Sequence, residues 1–415
     1  MRAVIIAVGD ELTSGATVDT NSAWLADGLG RRGIAVARHV TVGDDTGAIA
    51  AAVAAAAEAD VVLITGGLGP TADDLSRQGL ADAMGAELRE DARQIERIAA
   101  RFASFGREMK PSNRSQALVP EGARPIDNDW GTAPGLAATV GAARVFILPG
   151  VPREMEAMFA AKVFPELPAA GAVARRLIHT YGTGESDVGE TIVDLMARGR
   201  NPAVGTTAKA GVITIRVNAS ADTPGEAEAL ADEAAAEVRR RLGELVFGEG
   251  PGTLPAAVGE LLAAAGETLA TAESCTGGLI ARMITDVPGA SRYYLGGAVA
   301  YANEAKTDLA GVDPALIEAH GAVSDEVAEA LAVGIRRRLG ADWSVATTGF
   351  AGPTGGTDAK PVGLVCMAVA GPTGGEVHRR TFPGDRDVVR GRAALALLNH
   401  LRLALTGSAA QRENR

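Results

Sequence analysis

Apolar and polar positions alternate along the chain in short blocks whose period switches between two and about 3.6. Val4 to Val8 is an unbroken apolar run of strand length. Asp19-Thr20-Asn21 then opens a stretch with Trp24, Leu25 and Leu29 on one helical face, the signature of a capped amphipathic helix. Ile34 to Val40 reads as a second strand, an Ala-rich helix follows Asp44-Asp45, and Asp60 to Thr65 is a third strand ending in Gly66-Gly67-Leu68-Gly69-Pro70. Strands alternating with helices predict a parallel sheet covered on both faces. Val145 to Leu148 reads as a late strand of that sheet, and Pro149-Gly150-Val151-Pro152 turns it into a helix near Arg153. The first domain is expected to span 1–172.

Between Arg175 and Gly250 the pattern becomes a small α+β module. It comprises a strand from Arg176 to Tyr181, a helix from Glu185 to Ala197, two strands around Ala210-Gly211, and a helix from Pro224 to Leu242. This module is assigned to 173–250. Gly248 to Gly252 reads as a linker, and a new helix starts at Leu254. The third domain, also α/β, is assigned to 253–406. Small, polar and charged residues at 407–415 predict a loose tail.

Composition narrows the function. At 415 residues the chain is long enough for two or three cores. A net charge of −11 disfavours broad binding to nucleic acid, while leaving room for a local basic pocket that takes a small phosphorylated ligand. No apolar stretch is long enough for a membrane helix, and the apolar run at the start is too short for a signal peptide. The two cysteines, Cys275 and Cys366, make neither a metal spacing nor a disulfide framework. A soluble, cytoplasmic protein is expected.

Candidate chemistry in the last third centres on Ala272-Glu273-Ser274-Cys275-Thr276-Gly277-Gly278, which reads as a strand passing into a helix. Backbone N–H groups at such a helix start can hold a phosphate or an oxyanion. Glycine at 277 and 278 lets a substrate approach the backbone. Ser274 or Thr276 could equally be a simple helix cap. None of the five histidines lies in a segment resembling a catalytic turn, so Lys306, just beyond the strand Tyr294 to Ala300, is the next candidate for a base. It could instead be an ordinary solvated lysine; a base would need its ammonium desolvated. A second glycine-rich turn, Thr347 to Gly356, follows the strand Trp343 to Ala346, so the two turns are expected to share one pocket. Arg386 and Arg390 lie one helical turn apart and could clamp a phosphate, although Arg386 taken alone reads as surface.

In the first domain, Gly9-Asp10-Glu11 and the run Gly66 to Asp74 combine glycines with carboxylates. Gly66, Gly67 and Gly69 can present N–H groups to phosphate, and Glu11, Asp73 and Asp74 can supply hard oxygen ligands to a divalent metal. Asp73 and Asp74 could instead merely favour the dipole of the helix that follows them.

Together these motifs, with Tyr301 to Lys306, Gly321-Ala322-Val323-Ser324 and Thr348-Gly349-Phe350-Ala351-Gly352-Pro353, resemble the CinA family. The resemblance implies three folds: an N-terminal three-layer molybdopterin-binding-like domain with a parallel sheet, a KH-like middle module, and a C-terminal deamidase domain. For the last it implies hydrolysis of the carboxamide of nicotinamide mononucleotide by Ser274 and Lys306, with no cofactor. Substrate would be met by Tyr301, Thr276, Gly277, Gly278, Thr348, Gly349 and Arg390, the last at the 5′-phosphate. For the N-terminal domain the resemblance implies metal-dependent ADP-ribose pyrophosphatase activity. A homodimer and small nucleotide substrates are the implied partners. Cys275 is a rival nucleophile. The competing reading is a non-catalytic pterin- or nucleotide-binding protein, accessory to competence or to molybdenum-cofactor metabolism.

Overall fold

Three larger sheets and one two-stranded ribbon, Leu88–Glu90 against Leu118–Pro120, organise the chain in a computed structural model that describes residues 1–168 and 171–413. By internal contacts the chain forms two units, one comprising 1–174 with 219–229 and the other 175–218 with 230–415.

In the first unit, β1 (Arg2–Val8), α1 (Thr20–Gly30), β2 (Ala35–Val42), α2 (Thr46–Ala55), β3 (Val61–Thr65) and α3 (Ser76–Met84) alternate as the pattern predicts. Asp19 accepts from the Ser22 amide and Asp45 from that of Ala48, so both capping acids end orphan N–H groups at their helix starts. After α4 (Ala92–Ser104) come β4 (Arg124–Ile126), β5 (Gly135–Val140), β6 (Ala143–Leu148) and α5 (Pro152–Met158). The six strands take the order β2-β1-β3-β6-β5-β4. Apolar residues of β1 alternate between two cores, with Val4, Ile6 and Val8 on one face and Ala3 and Ile5 on the other. The expected all-parallel sheet is corrected to a mixed one, because β6 runs antiparallel to β5, and β5 to β4. Only Gly141 and Ala142 separate β5 from β6, and a connection that short can join only antiparallel neighbours.

The middle module forms a four-stranded sheet from β7 (Ala172–Tyr181), β8 (Ala203–Lys209), β9 (Val212–Ala221) and β10 (Val246–Glu249), in the order β8-β9-β7-β10. Ala210 and Gly211 both have positive φ, 52° and 87°, which is the backbone of a tight two-residue hairpin. Helix α6 (Glu185–Thr191) is shorter than the expected Glu185 to Ala197, whereas α7 (Pro224–Leu242) matches its expected span. The start of the expected Gly248–Gly252 linker is sheet: Gly248 and Glu249 pair with His179 and Ile178.

The C-terminal part contains α8 (Leu254–Ala265), β11 (Leu269–Glu273), α9 (Leu279–Thr285), β12 (Tyr294–Val299), α10 (Asn303–Ala310), α11 (Pro314–His320), α12 (Asp325–Leu339), β13 (Trp343–Gly349), β14 (Leu364–Gly371), β15 (Gly374–Thr381) and α13 (Arg386–Glu413). Its sheet has the order β12-β11-β13-β14-β15, parallel across the first three strands and antiparallel thereafter. One core joins Val258, Leu262 and Ile280 to Leu397 and Leu401 of α13; another joins Ala270 and Ala346 to Val327 and Leu331 of α12. Helix α13 runs on to Glu413, into the stretch 407–415 expected as a tail, of which Asn414 and Arg415 lie outside the described residues. No described helix is long and apolar enough to cross a membrane.

Candidate active sites

The parallel register of the C-terminal sheet sets its site. Glu273 pairs with Val299 on one side and Thr347 on the other, so β11, β12 and β13 end at the same edge. The segments that follow them, carrying Ser274, Tyr301 and Thr348, are therefore delivered to one place. Ser274 donates its amide to the Thr347 carbonyl at 3.0 Å, and Ala300 donates to the Glu273 carbonyl at 2.8 Å. Crossing threonines lock the turn: the Thr276 and Thr347 hydroxyls lie 2.7 Å apart, and Thr348 Oγ1 donates to Ala322 O at 2.6 Å.

Glu273 is the residue the sequence did not single out. Its side chain is only 1% exposed. Its carboxylate accepts from the amides of Gly278 at 3.0 Å, Ile280 at 3.1 Å and Ala281 at 2.8 Å. The start of α9 is thus closed by the chain's own anion, which corrects the expectation that these N–H groups await a ligand. It also removes the helix-cap alternative for Ser274 and Thr276. Gly277 is spent as well, donating to Ser274 O at 3.1 Å. Among the described residues the amides of Cys275 and Thr276 donate to no backbone carbonyl; both reach the Cys275 sulfur, beside Ser274. Gly277 and Gly278 sit at φ 61° and 90°, a region that favours glycine, and this is what lets the turn coil back under Glu273.

Lys306 is not a surface lysine. It is 2% exposed, and among the described residues it makes no ion pair. Its Nζ donates to Tyr301 O at 3.1 Å, and no hydrogen bond joins it to Ser274. Burial pushes its pKa below the ordinary lysine range, with Cys275 and Glu304 opposing the shift. The Cys275 thiol moves the other way, pushed up to about 11 by burial, which removes the thiolate a cysteine nucleophile needs at neutral pH.

Both candidate arginines of α13 reach this turn. Arg390 donates through Nη2 and Nε to Thr276 O at 2.8 and 3.3 Å, holding the Ser274 loop from behind. Arg386 donates to the Tyr301 hydroxyl at 2.9 Å and to Gly352 O at 2.7 Å. It therefore ties the segment leading to Lys306 to the second glycine-rich turn while staying exposed, as sequence taken alone expects. Gly349 ends β13 where an added Cβ would lie 2.6 Å from Leu364 O. The far end of this turn is anchored by Lys360, which donates to His320 O at 2.8 Å and Val323 O at 2.7 Å.

The N-terminal candidate lies in a separate cavity of about 490 Å³, lined by Glu11, Asp44, Gly66, Gly67, Gly69 and Asp73 among others. Gly66 has φ 105° and packs so closely on β1 that a Cβ would meet Val8 O at 2.2 Å. Arg77, buried and with its pKa pulled down to about 10 by desolvation, donates to the carbonyls of Leu68 and Gly69. Asn21 donates to Thr65 Oγ1 at 3.0 Å and Gly150 O at 2.8 Å, fastening the cavity wall.

The proposed ligand set of Glu11, Asp73 and Asp74 is not assembled as a group. Asp74 holds the loop instead, accepting from Gly69 N at 2.6 Å, Thr71 N at 2.8 Å and the Thr71 hydroxyl. It lies two residues before the start of α3, outside the helix itself. Asp44 lines the same cavity alongside it. Partial burial raises the Asp44 pKa, and the charges of Asp10, Glu11 and Asp73 add to the rise, although the Asp10 amide bonded to it opposes this. Among the described residues no three His, Cys, Asp or Glu side chains are arranged to hold a metal ion. Glu11 and Asp73 both line the cavity with Asp44.

Comparison with known sequences settles the lineage. Three family patterns match in succession: the probable molybdopterin binding domain over residues 4–169, the damage-inducible protein CinA KH domain over 175–248, and the CinA C-terminal domain over 252–405. A CinA-like protein of Anaeromyxobacter sp. (strain K) is 45% identical over 417 residues, covering 98% of this chain and 100% of its own. The chain belongs to the CinA family. Another CinA-like protein, from Frankia casuarinae, is 44% identical over 420 residues, covering 98% and 97% of the two chains. A solved CinA structure from Thermoplasma acidophilum aligns with 40% of this chain and 98% of its own at 40% identity, with a TM-score of 0.37. CinA membership accounts for the order of the motifs in this chain, from Gly9-Asp10-Glu11 to Thr348-Gly349-Phe350.

Proposed function

We propose that the C-terminal domain is a serine amidohydrolase acting on the carboxamide of nicotinamide mononucleotide. The observation that carries this reading is Lys306, buried without an ion-pair partner on the segment after β12, next to the strand end that carries Ser274. A lysine so desolvated is easier to deprotonate, which is what a general base requires. Neutral Lys306 takes the Ser274 proton as the hydroxyl oxygen attacks the carboxamide carbon. The carbonyl oxygen then carries negative charge and is met by the amides of Cys275 and Thr276. Collapse of the tetrahedral species breaks the C–N bond, Lys306 returns its proton to the departing ammonia, and an acyl-serine remains. Water, activated by the same lysine, releases nicotinate mononucleotide. Tyr301, Thr348, Gly349 and Arg390 line or brace this turn, and the domain needs no cofactor for these steps.

The N-terminal cavity is read as an ADP-ribose pyrophosphatase site. Glu11 and Asp73 would hold a divalent cation together with the substrate's phosphates, and the cation would neutralise charge on the phosphoryl oxygens. Amides of Gly67 and Leu68 donate to no backbone carbonyl among the described residues and would face the phosphates. A second reading, in which this domain only binds a pterin or nucleotide, is favoured by the engagement of Asp74 in the loop.

The deciding experiment is ammonia release from nicotinamide mononucleotide by the folded protein and by folded Ser274→Ala. Release that is lost in the variant is the expected result. A folded wild type that releases none would overturn the amidohydrolase reading and favour a binding protein.

A further inference from the structure

A second cavity, also about 490 Å³, lies within the second unit where the middle module meets α13, remote in sequence from Ser274 and Lys306. Its polar lining is Tyr181 from β7, Glu244 from the turn after α7, Arg380 from β15, and Asn399, His400 and Arg402 from α13. Arg402 is 6% exposed; it donates to Asn399 Oδ1 at 3.1 Å and Glu244 O at 2.7 Å but, among the described residues, makes no ion pair. Arg380 is exposed and contacts the Phe382 ring at 5.4 Å, again with no ion pair. Two guanidinium groups thus line one cavity with Glu244 as the single lining carboxylate. Leu242, Leu245 and Leu403 supply an apolar wall.

His400 adds a third nitrogen base. Its ring stacks on that of His378 at 3.5 Å between centroids and 8° between planes. Burial pulls the His400 pKa down to about 4, with the charges of His378 and Arg380 adding to the effect. The groups facing it are Arg402 and Asn399 on its own helix, His378 and Arg380 on β15, Glu244 beyond α7 and Tyr181 on β7; Glu376 lies 3.3 Å from His378. Positive charge gathered at one cavity repels itself, and a bound anion relieves that repulsion.

We propose that this cavity binds a small organic phosphate, its phosphate against Arg380 and Arg402 and its apolar portion against Leu242, Leu245 and Leu403. Guanidinium suits phosphate because its N–H groups match the oxygens, and Arg380 offers its full fork while Arg402, engaged through Nε and Nη2, offers Nη1. The apolar wall selects an organic monoester over inorganic phosphate, and the volume is that of a small-molecule site. Such a ligand would touch the same helix that carries Arg386 and Arg390 to the Ser274 turn. The proposal is independent of which reaction Ser274 performs.

Phenyl phosphate is the probe, and the histidine ring signals of the full-length chain are the readout, with His400→Gln assigning the relevant signal. Added phenyl phosphate is expected to move the His400 signal saturably and to raise its pKa, because a nearby anion favours imidazolium. Arg380→Ala, at an exposed position that leaves the fold intact, is expected to weaken this binding about tenfold or more, whereas Ser274→Ala leaves it unchanged. The proposal is overturned if His400 does not respond, if Arg380→Ala gives the same titration curve, or if phenol alone produces the same shift.

Discussion

Arg386 Nη2 donates to the Tyr301 hydroxyl at 2.9 Å, joining the first turn of α13 to a segment 85 residues earlier in the chain. Tyr301 is 59% exposed, so this bond closes over the turn from outside rather than packing within it. Tyr301→Phe removes only the hydroxyl and is expected to leave stability within about 0.5 kcal/mol. Its effect should fall on substrate affinity, with KM for nicotinamide mononucleotide rising several-fold and kcat changing less. A kcat loss with unaltered KM would instead place Tyr301 in the chemical step.

Lys306 gives a pH prediction. A lysine whose folded pKa lies below its unfolded one binds fewer protons in the native state, so stability rises with pH between the folded value and about 10.4. The penalty is fully present below the folded pKa. Lys306→Met, which removes a buried ammonium, should therefore raise Tm at neutral pH by about 2–4 °C. The gain should shrink as pH climbs toward the ordinary lysine range. Amidohydrolase activity should be lost in this variant and in Lys306→Arg, and wild-type kcat/KM should rise with pH through the folded pKa.

Glu273 is expected to matter for the fold before it matters for chemistry. Glu273→Ala leaves the Gly278, Ile280 and Ala281 amides without their acceptor and should cost about 3 kcal/mol in urea unfolding. Glu273→Gln should fall between this variant and wild type, since one amide oxygen can still accept. Equal stability of all three proteins would show that the carboxylate is dispensable.

Cys275→Ala separates the two candidate nucleophiles. With its thiol pushed up to about 11, Cys275 contributes little thiolate at pH 7, so ammonia release should stay within about threefold of wild type. Complete loss in a folded variant would transfer the nucleophile's role from Ser274 to Cys275.

Asp73 and Asp74 are adjacent in sequence but should behave differently. Asp74→Ala loses the acceptor of Gly69 and Thr71 and should destabilise the first unit by about 1–3 kcal/mol. Asp73→Asn, at a fully exposed carboxylate, should leave stability unchanged yet lower metal-dependent cleavage of ADP-ribose at least about tenfold. ADP-ribose left intact by the wild type under every divalent metal would support the binding-only reading of this domain.

What the sequence determined is local. Period-two and period-3.6 blocks, together with Asp19, Asp45 and Thr253 at their helix starts, are enough to place most strands and helices, because each depends on neighbours within a few residues. The motifs around Ser274, Lys306 and Gly66 are legible for the same reason. What only the tertiary structure decided depends on where separate segments meet. The register of Glu273 against Val299 and Thr347 brings the Ser274, Tyr301 and Thr348 segments to one edge. The fold also buries Lys306, turns Glu273 onto the start of α9, and sets Asp74 to hold a loop while Asp73 stays exposed. A carboxylate's role is fixed by the donors that reach it and a lysine's pKa by the water excluded from it, and both are set by packing across the fold rather than by position along the chain.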